Sequence, residues 1–176
     1  MRIIGGRASG QLIKFPRGKN IRPITDRAKE AIFNILGEKV KKATVLDLYA
    51  GSGSLGIEAL SRGAKKVIFV DKNIKAAKTI RENLRKTNFS SQANVKKEKV
   101  ENFLRKNKGK FDLIFVDPPW SEINLAIFEF LPSFLKKDGL IIFRYPQKEE
   151  LKNLMNFIII DQRKYGDSKV IFLKKK

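Results

Sequence analysis

The sequence predicts a doubly wound α/β domain, and three observations carry that prediction. Strand-like runs alternate with helix-like segments through most of the chain. Four of the strand runs are almost continuously apolar, as expected of a parallel sheet covered on both faces. The last two runs are joined only by the loop Gly166 to Ser168, so they form a hairpin and the final strand runs antiparallel to the rest.

Taken in order, "RIIGGRASGQLIKFP" has glycine turns between short apolar runs and reads as a hairpin or extended arm. "IRPITDRAKEAIFNILGEKV" reads as a helix: Thr25 is its N-cap, Asp26 suits the positive helix end, and Ala28, Ala31, Ile32, Ile35 and Leu36 share one face. The strands are "TVLDLY", "KVIFVD", a weak "NVKKEKV", "FDLIFVD", "GLIIFRY", "FIIIDQRKY" and "KVIFLK". Helices fill residues 55–61, 74–86, 101–107, 122–134 and 148–155 between them. Neither an internal repeat nor a long linker interrupts the pattern.

Composition narrows the chemistry. The 176 residues, 42% hydrophobic, suit one domain with a sizeable core. No apolar run approaches the ~18 residues of a membrane span, and "MRIIGGRASG" lacks the apolar region of a secretory signal, so a cytoplasmic protein is expected. The chain has no cysteine, which excludes a disulfide, a thiolate nucleophile and a cysteine zinc site. It has no histidine either, so any proton transfer must use carboxylates, backbone groups, aromatics, Lys or Arg. With 38 basic against 18 acidic residues the net charge is +20, which points to a polyanionic partner, nucleic acid first. The first 24 residues carry Arg2, Arg7, Lys14, Arg17, Lys19 and Arg22 with no acid before Asp26, a basic stretch suited to phosphates.

The glycine loop "VLDLYAGSGSLGIEAL" contains Gly51-Ser-Gly53-Ser-Leu-Gly56 after a strand and before a helix, with Asp71 twenty residues past Gly51. Alone, this is a dinucleotide fingerprint. Asp47, four residues before Gly51, argues otherwise. A carboxylate aimed at this turn repels a pyrophosphate and attracts a cation. S-adenosylmethionine has no phosphate and carries an ammonium and a sulfonium. In that reading Asp71 accepts from the ribose hydroxyls, and the glycines let backbone approach the methionine part. The competing structural reading is a glycine turn whose loop Asp47 simply caps.

A second motif, "LIFVDPPW", ends the fourth strand and so faces the same crevice. An exocyclic ring amine is a poor nucleophile because its lone pair is delocalised. The Asp117 carboxylate can accept one N–H and the Pro118 carbonyl the other, favouring a localised lone pair. Pro118 and Pro119 fix the backbone, and Trp120 offers a stacking face worth about 1–3 kcal/mol in comparable contacts. Methylation at pyrimidine C5 would need a cysteine, which the chain lacks.

With "MRIIGGRASGQLIKFP", "RPITDRAKEAIFNIL", "VLDLYAGSGSLGIEALSRGAKKVIFVD", "FDLIFVDPPW" and "RKYGDSKVIFL" in view, the chain resembles over nearly its whole length the bacterial 16S ribosomal RNA guanine-N2 methyltransferases, which modify one guanine in the head of the 30S particle. The glycine loop and D-P-P-W are common to many amino-methyltransferases; the N-terminal segments are more specific. The resemblance implies a class I methyltransferase sheet of the Rossmann-like kind, seven strands with the last antiparallel, preceded by a basic β-hairpin. It implies a hairpin at residues 1–24 and a methyltransferase domain at 25–176. It places Asp47, Ala50, Gly51 and Gly53 at the methionine part of S-adenosylmethionine and Asp71 with Lys72 at the ribose. Lys99 and Val100 fall at the adenine, where the family often has Asp, and Glu98 is a neighbouring candidate. Asp117 to Trp120 would hold the guanine, and Arg2, Arg7, Lys14, Arg17, Lys19, Arg22 and Arg27 the RNA, with Thr25 near the mouth. Ile24 stands where the family commonly has Thr, and Trp120 where it has Phe or Tyr. The cofactor would be S-adenosylmethionine, leaving as S-adenosylhomocysteine, with no metal. The partner would be 16S ribosomal RNA within the 30S subunit or an assembly intermediate, met by a monomer.

Two rivals remain at this level. An adenine-N6 methyltransferase for DNA or RNA uses the same D-P-P-aromatic logic, although little chain is left for a DNA target-recognition domain. A noncatalytic RNA-binding assembly factor would keep the fold without the transfer. Arg144 and Tyr145 at the end of the fifth strand read as scaffold, and Tyr165 and Asp167 as parts of the last hairpin.

Overall fold

The computed structural model describes residues 1–15, 23–151, 154 and 156–176. Among them are seven strands: β1 (Thr44–Leu48), β2 (Lys66–Asp71), β3 (Ala93–Lys97), β4 (Phe111–Val116), β5 (Leu135–Pro146), β6 (Phe157–Tyr165) and β7 (Ser168–Lys175). They form one sheet in the order β3-β2-β1-β4-β5-β7-β6. The pairs from β3 to β5 are parallel, and β7 runs antiparallel to both β5 and β6. The doubly wound sheet with an antiparallel last strand is therefore as the sequence predicts. The β6–β7 hairpin turns at Gly166, whose φ of 58° suits a residue without Cβ.

The apolar runs are continuous because successive residues serve opposite faces. Val45, Phe69, Leu113 and Phe115 pack on one side with α1 (Asp26–Leu36), α2 (Ser54–Ser61) and α3 (Ile74–Lys86). Leu46, Leu48, Ile114 and Val116 pack on the other with α4 (Val100–Lys106) and α5 (Leu131–Phe134).

Residues 1–15 are docked on the first of these layers. Arg2 and Leu12 form an antiparallel bridge, and Ile3, Ala8 and Ile13 are buried. The backbone N–H groups of Ile4 and Gly5 each donate to the Glu58 carboxylate of α2 at 2.8 Å. Asn83 of α3 accepts from the Lys14 N–H at 2.8 Å and donates to its carbonyl at 2.9 Å. The basic stretch is thus held by two helices over these residues.

Four expectations shift. Helix α1 is capped by the Thr25 hydroxyl, which accepts from the Ala28 N–H, but its buried face includes Lys29 and Phe33, while Ile35 is 38% exposed. The α-helix ends at Leu36, and Gly37–Val40 form a 3-10 turn. Residues 122–134 do not form one helix: 3-10 turns at Trp120–Glu122 and Leu125–Glu129 precede the four-residue α5. The Asn124 side chain takes the Ala126 N–H at 3.1 Å, and Pro132 has no N–H to give, so a continuous ladder cannot form. Within 148–155, Gln147 and Lys148 form a turn and Glu149 to Leu151 are irregular; Lys152, Asn153 and Met155 lie outside the described residues. No helix among the described residues is long and apolar enough to cross a membrane.

Candidate active site

Strands β2 and β4 leave β1 on opposite sides, so a crevice opens at their C-terminal ends, where doubly wound sheets bind ligands. Here it is a cleft of about 700 Å³ whose walls include Asp47, Gly51, Asp71, Val100, Asp117 and Arg144. Asp47, Asp71, Asp117 and Arg144 stand near or just past the end of an apolar strand, Gly51 lies in the loop after β1, and Val100 opens α4.

The glycine loop makes the floor. Tyr49, Gly51 and Gly53 all have positive φ, at 59°, 57° and 78°. Ala50 and Gly51 line the cleft; Gly53 instead turns the chain into α2, and a Cβ there would press on Ile57 and Ile80 at 3.3 Å. Gly56 permits the closest approach: a Cβ would lie 2.2 Å from the Phe69 ring and 2.9 Å from the Asp47 carboxylate. Its N–H donates to Asp47 Oδ2 at 2.9 Å. Asp47 therefore both anchors the first turn of α2 and lines the cleft. Its carboxyl is pushed well above the usual range by burial, with the Gly56 bond opposing and the nearby Asp117 and Asp71 adding to the rise.

Asp71 closes β2. Its Oδ2 accepts from Gly51 N–H and its Oδ1 from Asn73 N–H, both at 2.8 Å. Burial raises its pKa against those two bonds. Lys72 also lines the cleft, but its ammonium pairs with Glu122 at 2.6 Å, joining the rim after β2 to the rim after β4.

At the β3 end, Lys99 occupies the N-cap position of α4 and is exposed, while Val100 is buried; both line the cleft. The acid that lines it here is Glu101, which accepts from Asn124 Nδ2 at 3.4 Å; Glu98 is not among the lining residues. Tyr49 also lines the cleft, and burial pushes its hydroxyl pKa up, with Glu101 and Glu122 adding to the rise.

At the opposite end, Asp117, Pro118, Pro119 and Trp120 all line the cleft. The register pairs Val116 with Phe143, which sets Asp117 beside Arg144 on the neighbouring parallel strand. The guanidinium grips the carboxylate in a fork, Nε to Oδ1 at 2.8 Å and Nη2 to Oδ2 at 3.2 Å. Burial raises the Asp117 pKa and Arg144 opposes that rise. Arg144 is therefore a cleft residue, not scaffold as its strand-end position implied. Tyr145, stacked on Phe143 at 5.1 Å, is scaffold.

The other basic candidates fall elsewhere. Arg2, Arg7 and Lys14 are exposed on the docked N-terminal segment; Arg7 reaches Gln92 and lies over Phe89, and Lys14 pairs with Glu82. Arg17, Lys19 and Arg22 lie outside the described residues. Thr25 and Arg27 line a second cleft of about 590 Å³, which shares Pro23, Ile24 and Arg144 with the first.

The profile of the family described as conserved hypothetical protein 95 matches residues 1–174. A Bacillus subtilis (strain 168) protein named "Putative rRNA methyltransferase YlbH" is 37% identical over 183 residues, spanning all of both chains. The "Ribosomal RNA small subunit methyltransferase D" of Haemophilus influenzae is 41% identical over 72% of this chain and 66% of its own length. A solved structure described as "Putative methyltransferase yhhF from Escherichia coli" superposes with a TM-score of 0.89 at 27% identity, covering 100% of this chain and 98% of that one.

Proposed function

Since the chain belongs to the conserved hypothetical protein 95 family, we propose that it is an S-adenosylmethionine-dependent methyltransferase acting on ribosomal RNA, and that it methylates the exocyclic N2 of one guanine in 16S ribosomal RNA within the 30S subunit or its assembly intermediate. The names of its relatives favour the RNA class. The observation that carries the chemistry is a single cleft with a carboxylate-faced glycine loop at one end and the Asp117–Arg144 pair at the other.

The residues present fit the cofactor. Burial raises the pKa of Asp47, Asp71 and Asp117, and Asp117 and Asp71 add to the rise at Asp47, so a cationic ligand relieves the cleft and a pyrophosphate would burden it. Asp47, Ala50 and Gly51 would hold the methionine part, and Asp71 the ribose through lone pairs its backbone bonds leave free. Backbone around Lys99 and Val100 would border the adenine, with Glu101 rather than Glu98 as the adjacent acid. When bound, the cofactor would supply an activated methyl group to the amine nitrogen, its sulfonium becoming a neutral thioether.

Asp117 acts on the acceptor. The Arg144 fork uses one lone pair on each carboxylate oxygen, leaving others to accept an amine N–H. Because Arg144 favours the ionised form, Asp117 serves as a hydrogen-bond acceptor more than as a proton sink. The proton lost on N-methylation goes to water, which suffices because a protonated ring amine is a strong acid. Trp120 gives the base a face to stack on. Guanine N2 is normally paired, so the base must come from a loop or be flipped out.

The test is methyl transfer from labelled S-adenosylmethionine to unmethylated 30S particles and to naked 16S ribosomal RNA, with products digested to nucleosides. N2-methylguanosine on the particle is the expected product. N6-methyladenosine would transfer the assignment to an adenine enzyme, and no transfer despite cofactor binding would favour a noncatalytic assembly factor.

A further inference from the structure

The second cleft continues the first on the acceptor side. Its shared walls are Pro23, Ile24 and Arg144, whereas Asp71, Lys72, Lys99 and Val100 line only the first. Its remaining walls come from the first turn of α1, through Thr25 and Arg27, and from the β6–β7 turn, through Lys164, Tyr165, Asp167 and Ser168. The N-terminus of α1 and the last hairpin, far apart in sequence, thus meet around a hollow that opens beside Asp117's partner.

Its electrostatics differ from those of the cofactor end. Arg27 and Lys164 are exposed cations contributed by α1 and the β6–β7 turn, Arg144 forms the shared edge, and among the described residues Asp167 is the one acid that lines it. Tyr165 is half-buried; burial raises its hydroxyl pKa, so the phenol is neutral, and Arg27 is close enough to oppose that rise. Two flanking cations, a neutral aromatic ring and small hydroxyls suit a phosphate with a sugar and base attached.

Resting on the reading of the first cleft as the acceptor site, we propose that the second cleft seats the nucleotide adjoining the target base. Arg27 and Lys164 hold its phosphodiester and Tyr165 borders its base or sugar. A chain whose target base enters the first cleft must leave along a path next to Asp117, and the second cleft provides one lined by positive charge. The β6–β7 turn thereby becomes a substrate-binding element.

The experiment compares the wild type with an Arg27→Ala/Lys164→Ala variant and with a Lys39→Ala/Lys65→Ala control. The control removes the same charge from exposed positions just before β1 and β2, at the strand ends away from the cleft. Equilibrium binding of unmethylated 30S particles by S-adenosylhomocysteine-loaded protein is measured against salt, beside KM, kcat and cofactor affinity. The cleft variant should bind at least tenfold more weakly than the control. It should also lose about 0.7 per phosphate contact from its log–log salt slope and show a raised KM for particles, with cofactor affinity unchanged. Equal loss in both variants would reduce the effect to net charge and overturn the proposal, as would unchanged binding in the cleft variant. Wild-type protein that binds particles but transfers no methyl group would instead sink the functional reading, leaving the binding comparison intact. A Tyr165→Leu variant, which leaves charge alone, should weaken particle binding threefold or more; no change would remove the ring from the site.

Discussion

Replacing Arg144 by Met removes the fork while keeping a side chain of similar length in a position only 8% exposed. Asp117 then holds a carboxylate in the cleft wall with its cationic partner gone. Breaking a buried pair by deleting one member costs roughly 3–5 kcal/mol when the other charge remains. The lower figure applies here because the Asp117 side chain is 17% exposed and can escape by taking a proton. For a domain of this length about 3 kcal/mol corresponds to a fall in Tm of roughly 6–12 °C. The sign with pH follows from burial having raised the Asp117 pKa already, with Arg144 opposing that rise. Without Arg144 it climbs further. A carboxyl whose folded pKa exceeds its unfolded value costs stability above the folded pKa, and that cost fades as pH falls through it. Thermal unfolding of wild type and Arg144→Met from pH 8 to pH 5 should therefore show the largest gap at pH 8, narrowing toward pH 5. Adding Asp117→Asn to Arg144→Met should recover part of the loss at pH 8, since the stranded charge is gone. A gap independent of pH, together with no recovery in the double variant, would refute the view that Arg144 compensates a buried charge and leave only lost packing.

Three further outcomes follow. Asp117→Ala should keep cofactor affinity within twofold and lose at least 100-fold in transfer, measured by calorimetry and by label incorporation; wild-type transfer would remove Asp117 from the acceptor site. Asp71→Ala should weaken cofactor binding by roughly tenfold or more, the scale of a hydrogen bond to a charged group, and should also free the Gly51 N–H that Asp71 now holds; unchanged affinity would take Asp71 out of the cofactor site. Lys29→Met should cost up to about 3 kcal/mol by removing one cation from the buried Glu58 carboxylate, which keeps its 2.8 Å bond from Arg62, and should speed hydrogen exchange at Ile4 and Gly5, whose N–H groups share that carboxylate. An unaltered Tm with unaltered exchange would show that the pair is dispensable.

What was legible in the sequence is what local pattern determines. Helix α3 spans the expected residues because Asn73 accepts from the Lys75 N–H and an apolar face of Ala76, Ala77, Ile80 and Leu84 follows it. The sequence announced Asp71 and Asp117 because each closes an apolar run, and Asp47 by its place four residues before Gly51. What was missed depends on partners distant in the chain. Lys29 is buried because Glu58, 29 positions on, meets it, and because the Arg2 carbonyl accepts from its ammonium at 2.5 Å. Burial lowers the Lys29 pKa while Glu58 resists that fall. Arg144 was readable in principle: aligning "LIFV" with "LIIF" as parallel neighbours sets the next residues, Asp117 and Arg144, side by side. Residues 122–134 defeated the periodicity because a side chain and a proline act locally against the helix.

The same placement explains how a strongly basic protein can discriminate within a polyanion. Its net charge of +20 draws an RNA toward every face. Yet three of the carboxylates that line the cleft stand together at the strand ends, from β1, β2 and the turn after β4, and two of the three raise the pKa of the third. Phosphate is therefore favoured at the rim and repelled from the floor. A neutral base suffers no such penalty and, in the proposed acceptor site, would gain the Trp120 face and the Asp117 acceptor by leaving its backbone outside. With Arg27 and Lys164 lining the adjoining hollow, the proposed seating of the substrate would separate the two parts of a nucleotide by charge: backbone on the cationic side, base on the anionic side. On the proposed reading, extrusion of the target base would be the arrangement this field prefers, and the carboxylates proposed to attract a cationic methyl donor would be the same groups that keep phosphate from taking its place.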